Sequence, residues 1–113
     1  MVLAVAAGGA AGAVLRYLAG LHWGGLLGTF AVNTMGCALL GALVVIGDDS
    51  GSTATAWWYL LLAVGLAGAL TTWSTLAMQV YDLATRDKGR AAGYLLVTTG
   101  AGGLVSLLPL LLV

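Results

Sequence analysis

The chain reads as an all-α integral membrane protein of four transmembrane helices, the third broken near the bilayer midplane. Three observations carry that reading. Hydrophobic residues fill 61% of the 113 positions and charged residues 7%, and the mean hydropathy is +1.06, outside the range of soluble domains. The apolar residues gather into four stretches, each long enough to span, since roughly 20 residues of helix cross a ~30 Å hydrocarbon core. Within the third stretch, Gly65-Leu-Ala-Gly68-Ala-Leu-Thr71-Thr72-Trp73-Ser74-Thr75-Leu76 sets glycines and hydroxyls where a bilayer offers no water. Non-helical backbone at that depth is tolerated only where protein or a wet cavity covers it, so the expectation is a broken helix lining a site for a small solute.

The first span, residues 2–19, has no basic segment before it and carries Arg16 near its end, so it is expected to be a membrane helix and not a cleaved signal. Gly8-xxx-Gly12 and Gly9-xxx-Ala13 have the spacing of close helix packing, although 18 glycines also produce such pairs by chance. His22 is expected in a short solvated loop. The second span, 26–46, contains Asn33. An amide in a span is costly unless satisfied, which makes Asn33 either helix-to-helix glue or a pore group. Phe30, three residues earlier on the same face, reads as core packing. A single cysteine, Cys37, excludes an internal disulfide. Asp48 and Asp49, followed by Ser50 and Gly51, read as a solvated turn.

The third span, 57–80, is flanked by Trp57, Trp58 and Tyr59 at one end and Tyr81 at the other, aromatic anchors of the kind found at membrane interfaces. The helix from Tyr59 to Tyr81 rises about 33 Å, one bilayer, which puts Thr71 and Thr72 just past halfway. The fourth span, 91–112, carries Tyr94 and Thr98 one helical turn apart on one face, with Thr99 beside them. Gly89-xxx-Gly93 repeats the small-residue spacing at its start. All four spans are accounted for by one membrane domain, 1–113.

Charge narrows the chemistry. No Asp, Glu, Lys or His lies inside a span, so proton-coupled transport, metal binding and acid/base catalysis lose their usual residues, and no nucleophile has a base beside it. The chain is not expected to be an enzyme. A small multidrug exporter of similar size needs a membrane carboxylate that is missing here. All four Lys and Arg residues fall on the side shared by the loops after the first and third spans, which places those loops in the cytoplasm and both termini outside. What is left for function is a set of uncharged donors: Asn33, Thr71, Thr72, Ser74, Thr75, Tyr94, Thr98 and Thr99. Hydroxyl and amide N–H groups replace the hydration of a small anion, and carbonyls at a helix break hold a cation. The same Ser and Thr hydroxyls are also free to bond back to their own helix.

Three stretches carry a resemblance: Gly8-Gly-Ala-Ala-Gly-Ala-Val-Leu-Arg16-Tyr17, Gly28-Thr-Phe-Ala-Val-Asn33-Thr-Met-Gly36-Cys-Ala-Leu-Leu-Gly41, and Gly65 through Thr75 as quoted above. In order, spacing and total length the chain resembles the CrcB/Fluc family of fluoride channels. The resemblance implies a multi-pass protein of the cell membrane that passively exports cytoplasmic fluoride and gives fluoride resistance. It further implies an antiparallel dimer with a second four-helix subunit, identical or related, carrying two narrow pores and a structural sodium ion. Its partners would be fluoride and the lipid bilayer, with no nucleic acid. By the same resemblance Asn33 matches the pore asparagine, and Ser74, Thr75, Tyr94 and Thr98 match polar groups along the pores. Gly68 and Thr71 match the positions whose backbone carbonyls hold the sodium, and Arg16 matches the arginine near the end of the first helix. Arg16 then stands at a pore mouth or snorkels to the headgroups.

The chain departs from the family where two phenylalanines of the third helix are replaced by Trp73 and Leu76. These share a face, so the geometry of the pair is kept while its chemistry changes: Trp keeps a positive ring edge and Leu has none. A homodimer of opposed subunits must insert one chain both ways, whereas the charge bias here favours a single orientation and so suits one half of a heterodimer. The alternative is a non-conducting structural subunit of a larger membrane complex, which the small-residue faces and the altered aromatic pair would equally serve.

Overall fold

The structure is a computed structural model that describes residues 1–49 and 56–112. Those residues are helical almost throughout: α1 (Val2–Trp23), α2 (Gly25–Asp49), α3 (Trp57–Tyr59), a π-helical stretch (Leu60–Ala67), α4 (Gly68–Leu70), α5 (Trp73–Ala84) and α6 (Lys88–Leu112). Among them four spans are long and apolar enough to cross a membrane: Val2–Trp23, Gly25–Gly47, Trp57–Ala84 and Lys88–Leu112. The third is the composite one.

Reversal between α1 and α2 takes almost no chain. Gly24 (φ 68) and Gly25 (φ 39) both adopt the left-handed region that glycine enters without steric cost. His22, expected in a loop, therefore lies in the last turn of α1, edge-on to Trp23 at 5.1 Å. Asp48 and Asp49, expected in a turn, lie within α2, because Gly47 keeps a helical sign of φ and does not stop the helix. Ser50 and Gly51 fall outside the described residues.

Glycines set the packing of α1 on the third span. A Cβ on Gly8 would collide with the Leu61 carbonyl, one on Gly12 with the Leu66 carbonyl, and one on Gly65 would lie 2.7 Å from the Val5 carbonyl. Backbone rests on backbone there. Of the three small-residue pairs read from the sequence, Gly8 and Gly12 form this contact, whereas Gly9 and Gly93 have nothing within 4 Å. The other main pairing sets α2 against α6, where Gly41 abuts the Ser106 carbonyl.

Large apolar side chains turn outward: Leu3, Leu111 and Leu112 are exposed, while the buried residues are mostly small, as at Ala19, Ala63, Ala67 and Ala91. In lipid this arrangement carries no penalty, since tails are as apolar as Leu, and helices associate through close packing and hydrogen bonds.

The third span breaks after Leu70. Thr71 (φ −77, ψ 154) and Thr72 (φ −146, ψ 119) are extended, and helix resumes at Trp73. The Thr72 hydroxyl accepts the Thr75 N–H at 3.2 Å, so Thr71 ends one helical segment and its neighbour Thr72 caps the next.

Candidate functional site

Asn33 closes the break. Its Nδ2 donates to the Thr72 carbonyl at 3.1 Å, and its Oδ1 accepts the Thr72 N–H at 2.7 Å. One side chain thus pairs both backbone groups of an extended residue of the break, which is what such a residue at membrane depth requires. Gly36, one turn after Asn33 on the same face, gives the Thr71 methyl its space, because a Cβ there would collide with Thr71 Cγ2. The Thr71 hydroxyl turns back to the Ala67 carbonyl at 3.0 Å.

These bonds strip two carbonyls of their ordinary partners. In an unbroken helix the Thr72 N–H would close on Gly68 and the Thr75 N–H on Thr71. Here the first goes to Asn33 and the second to the Thr72 hydroxyl. What reaches them is weak: the Thr71 hydroxyl lies 3.4 Å from the Gly68 oxygen, and Arg16 Nη1 donates to the Thr71 oxygen at 3.4 Å. Hard carbonyl oxygens at the C-terminal, negative end of a helical segment suit a hard cation.

Two cavities flank the break and share Thr72. One, of about 400 Å³, is lined by Asn33, Cys37, Gly68, Thr71, Trp73, Leu76 and Thr98 among others, and is mostly apolar. The other, of about 440 Å³, is lined by Arg16, Tyr17, Thr29, Thr75 and Gln79 with several glycines. Thr98 gives the first cavity its sharpest polar feature. The residue is 3% exposed, and its hydroxyl has no hydrogen-bond partner among the described residues. A buried hydroxyl in that state costs free energy unless something fills the space beside it.

The candidate residues therefore divide. Asn33, Gly68, Thr71, Trp73, Leu76 and Thr98 meet at the first cavity. Arg16 and Thr75 face the second, and Ser74 is exposed and lines neither. Trp73 and Leu76 share the first cavity but not an environment, at 69% and 2% exposed. Thr99 follows the back-bonding alternative, its hydroxyl donating to Leu95 O at 2.7 Å.

Tyr94 brings in a residue missing from the donors read off the sequence. Its hydroxyl donates to Gln79 Oε1 at 2.8 Å, with Leu26 O a more distant acceptor at 3.3 Å. Gln79 Nε2 in turn donates to the Gly25 carbonyl at 3.2 Å, tying α5 to the α1–α2 reversal. The signal was present in the sequence: Gln79 is an amide inside a span, and the cost argument that singles out Asn33 applies to it equally.

Comparison with known proteins adds an independent line. The model of the family described as CrcB-like protein, Camphor Resistance (CrcB), matches residues 3–109. The fluoride-specific ion channel FluC 2 of Halobacterium salinarum is 45% identical over 82 residues, 73% of this chain and 64% of that protein. The fluoride-specific ion channel FluC of Phenylobacterium zucineum is 42% identical over 100 residues, covering 82% and 79%. The FluC of Pseudomonas paraeruginosa is 36% identical over 115 residues, covering 96% and 90%.

Proposed function

Because this chain belongs to the CrcB family, a multi-pass protein of the cell membrane, we propose that it is a fluoride-selective channel that passively exports cytoplasmic fluoride and so gives fluoride resistance. The observation that carries this reading is the buried, unpartnered Thr98 hydroxyl, set in one cavity with the Asn33 amide and the Trp73 ring. Fluoride enters a cell as the neutral weak acid, ionises in the cytoplasm and is trapped as the anion. A path out must replace its hydration with donors, yet hold it loosely enough to let it go. Thr98 supplies an O–H that meets no acceptor within hydrogen-bond distance among the described residues. Asn33 has a second amide hydrogen beyond the one given to Thr72. The Trp73 ring edge is positive, and no Lys or Arg lines that cavity to bind the ion too firmly.

The working unit in this proposal is an antiparallel dimer with a second four-helix subunit. Gly68 and Thr71 would hold a structural sodium ion through their carbonyl oxygens, where the ion would neutralise the negative helix ends and brace the break. Support for that assignment is the loss of both carbonyls' helical partners. One half of a heterodimer is favoured over a homodimer by the charge bias, since Arg16, Arg86, Lys88 and Arg90 all predict one side.

Liposomes carrying the purified chain, loaded with potassium fluoride and given valinomycin to clear the membrane potential, test the channel directly. Fluoride release at the electrode without chloride release is the expected result. Release that appears only after co-expression with a related chain would assign the function to a heterodimer. No release under either condition would overturn the channel and return the structural-subunit reading.

A further inference from the structure

The polar face of α6 holds a single phenolic proton, and its location is set by the neighbouring amide. Gln79 Nε2 donates to the Gly25 carbonyl at 3.2 Å, which turns Oε1 toward Tyr94. The opposite amide orientation would set two oxygens against each other at Gly25. With Oε1 facing it at 2.8 Å, the Tyr94 hydroxyl acts as donor. A more distant acceptor, Leu26 O, is also a carbonyl, at 3.3 Å. A phenol has one hydrogen, so in this arrangement the hydroxyl turns lone pairs, not a proton, toward the Thr29 and Thr98 hydroxyls that also lie near it. Gln79 also lines the second cavity, one helical turn beyond Thr75 on the same face of α5 and together with Arg16. It stands between that cavity and Tyr94.

Resting on the channel reading above, we propose that Gln79 is a positioning residue for the ion path: it holds the Tyr94 proton, so that Tyr94 serves a passing anion as donor only when this hydrogen bond opens. An anion gains the Tyr94 hydrogen bond only by breaking another. The net gain is the difference of two bonds, which weakens the hold on the ion and speeds its release.

The test is initial fluoride efflux against internal fluoride, measured on the full chain in liposomes as wild type, Gln79→Met, Gln79→Glu, Tyr94→Phe and the Gln79→Met/Tyr94→Phe pair. Gln79→Met removes the acceptor at similar length and frees the proton. Half-saturating fluoride should then fall by about fivefold, the scale of one net hydrogen bond. In the Tyr94→Phe background the same change should leave half-saturation where it was, whereas loss of the Gly25 contact alone would act in both backgrounds. Gln79→Glu adds a carboxylate that grips the proton harder once ionised, so its half-saturating fluoride should rise as pH rises from about 6 to 9 while that of the wild type stays flat. Unchanged half-saturation in Gln79→Met, or a shift that survives Tyr94→Phe, overturns the assignment. Where Gln79→Met does not give monodisperse protein, a flat pH profile for Gln79→Glu overturns it instead. A wild type that passes no fluoride removes the channel reading and this inference together. A conducting wild type with unmoved variants removes this inference alone.

Discussion

The two halves of the third span are held by different means. Residues 57–70 lie on α1 through backbone contacts that glycine permits, with Gly8, Gly12 and Gly65 at the crossing. Residues 73–84 lack such contacts, and side chains hold the junction instead: Asn33 on Thr72, and Gln79 linking Gly25 to Tyr94. Packing against a backbone has little freedom to relax, whereas a side-chain hydrogen bond opens and recloses at the cost of one net bond. The first half is thus a fixed wall, and the second carries the donors and the cavities. The π-helical stretch Leu60–Ala67 belongs to the wall, where it meets α1.

The largest effect should come from breaking the wall. Gly8→Leu would drive a side chain into the Leu61 carbonyl, and neither helix has a flexible group there to yield. The expected cost is about 3 kcal/mol or more, the upper end for overpacking. Recovery of monodisperse protein from detergent should collapse for Gly8→Leu but not for Gly9→Leu, since Gly9 faces open space. Equal recovery of the two would show that the α1 crossing is not the rigid element.

The contrast between the halves also decides what could be read in advance. Four spans, the break at Thr71–Thr72 and the family were legible, because each is written in runs of apolar residues or in consecutive Thr between glycines. The gathering of donors was less so. Asn33 left two readings open, glue or pore group, and the structure shows it bonding Thr72 on both sides while also lining the cavity. Gln79 sits among apolar residues in a segment whose polar signal is carried by Ser and Thr, so its place in the sequence alone does not reveal its partners. Its role depends on Gly25 and Tyr94, distant in sequence and brought together only by the fold. His22 lies in helix and not in the expected loop for a local reason, the pair Gly24–Gly25 reversing the chain in less length than a loop needs.

An intermediate effect is expected from the tether that joins the halves. Asn33→Leu leaves the Thr72 N–H and carbonyl without their partner. In water two unpaired buried groups would cost several kcal/mol, but side-chain hydrogen bonds between membrane helices average well under 1 kcal/mol because the unfolded helices also find partners. Backbone groups at an extended break have fewer alternatives, so about 1–3 kcal/mol is expected, read as a lower melting temperature in detergent. Fluoride efflux should fall further than stability does, since Asn33 also lines the cavity. A variant that melts lower but conducts as the wild type would separate the tether from the path.

The smallest effect isolates the cap. Thr72→Val keeps the shape and both backbone bonds to Asn33 while removing the hydroxyl that accepts the Thr75 N–H. Loss of an N-cap costs about 1 kcal/mol, and Thr72→Ser should recover most of it, because the acceptor oxygen returns. The comparison of the halves makes the outcome informative beyond its size. If the hydroxyl only starts α5, Val lowers the melting temperature and Ser restores it with no change in efflux. If the hydroxyl also keeps the Thr75 N–H from closing on the Thr71 carbonyl, Val lets that bond form, and the sodium proposed there should then bind more weakly. Melting the purified protein in sodium and in a large organic cation distinguishes these: a stabilisation by sodium that is present in the wild type and in Thr72→Ser but reduced in Thr72→Val assigns the cap to the carbonyl site. Equal stabilisation in all three confines it to the helix start.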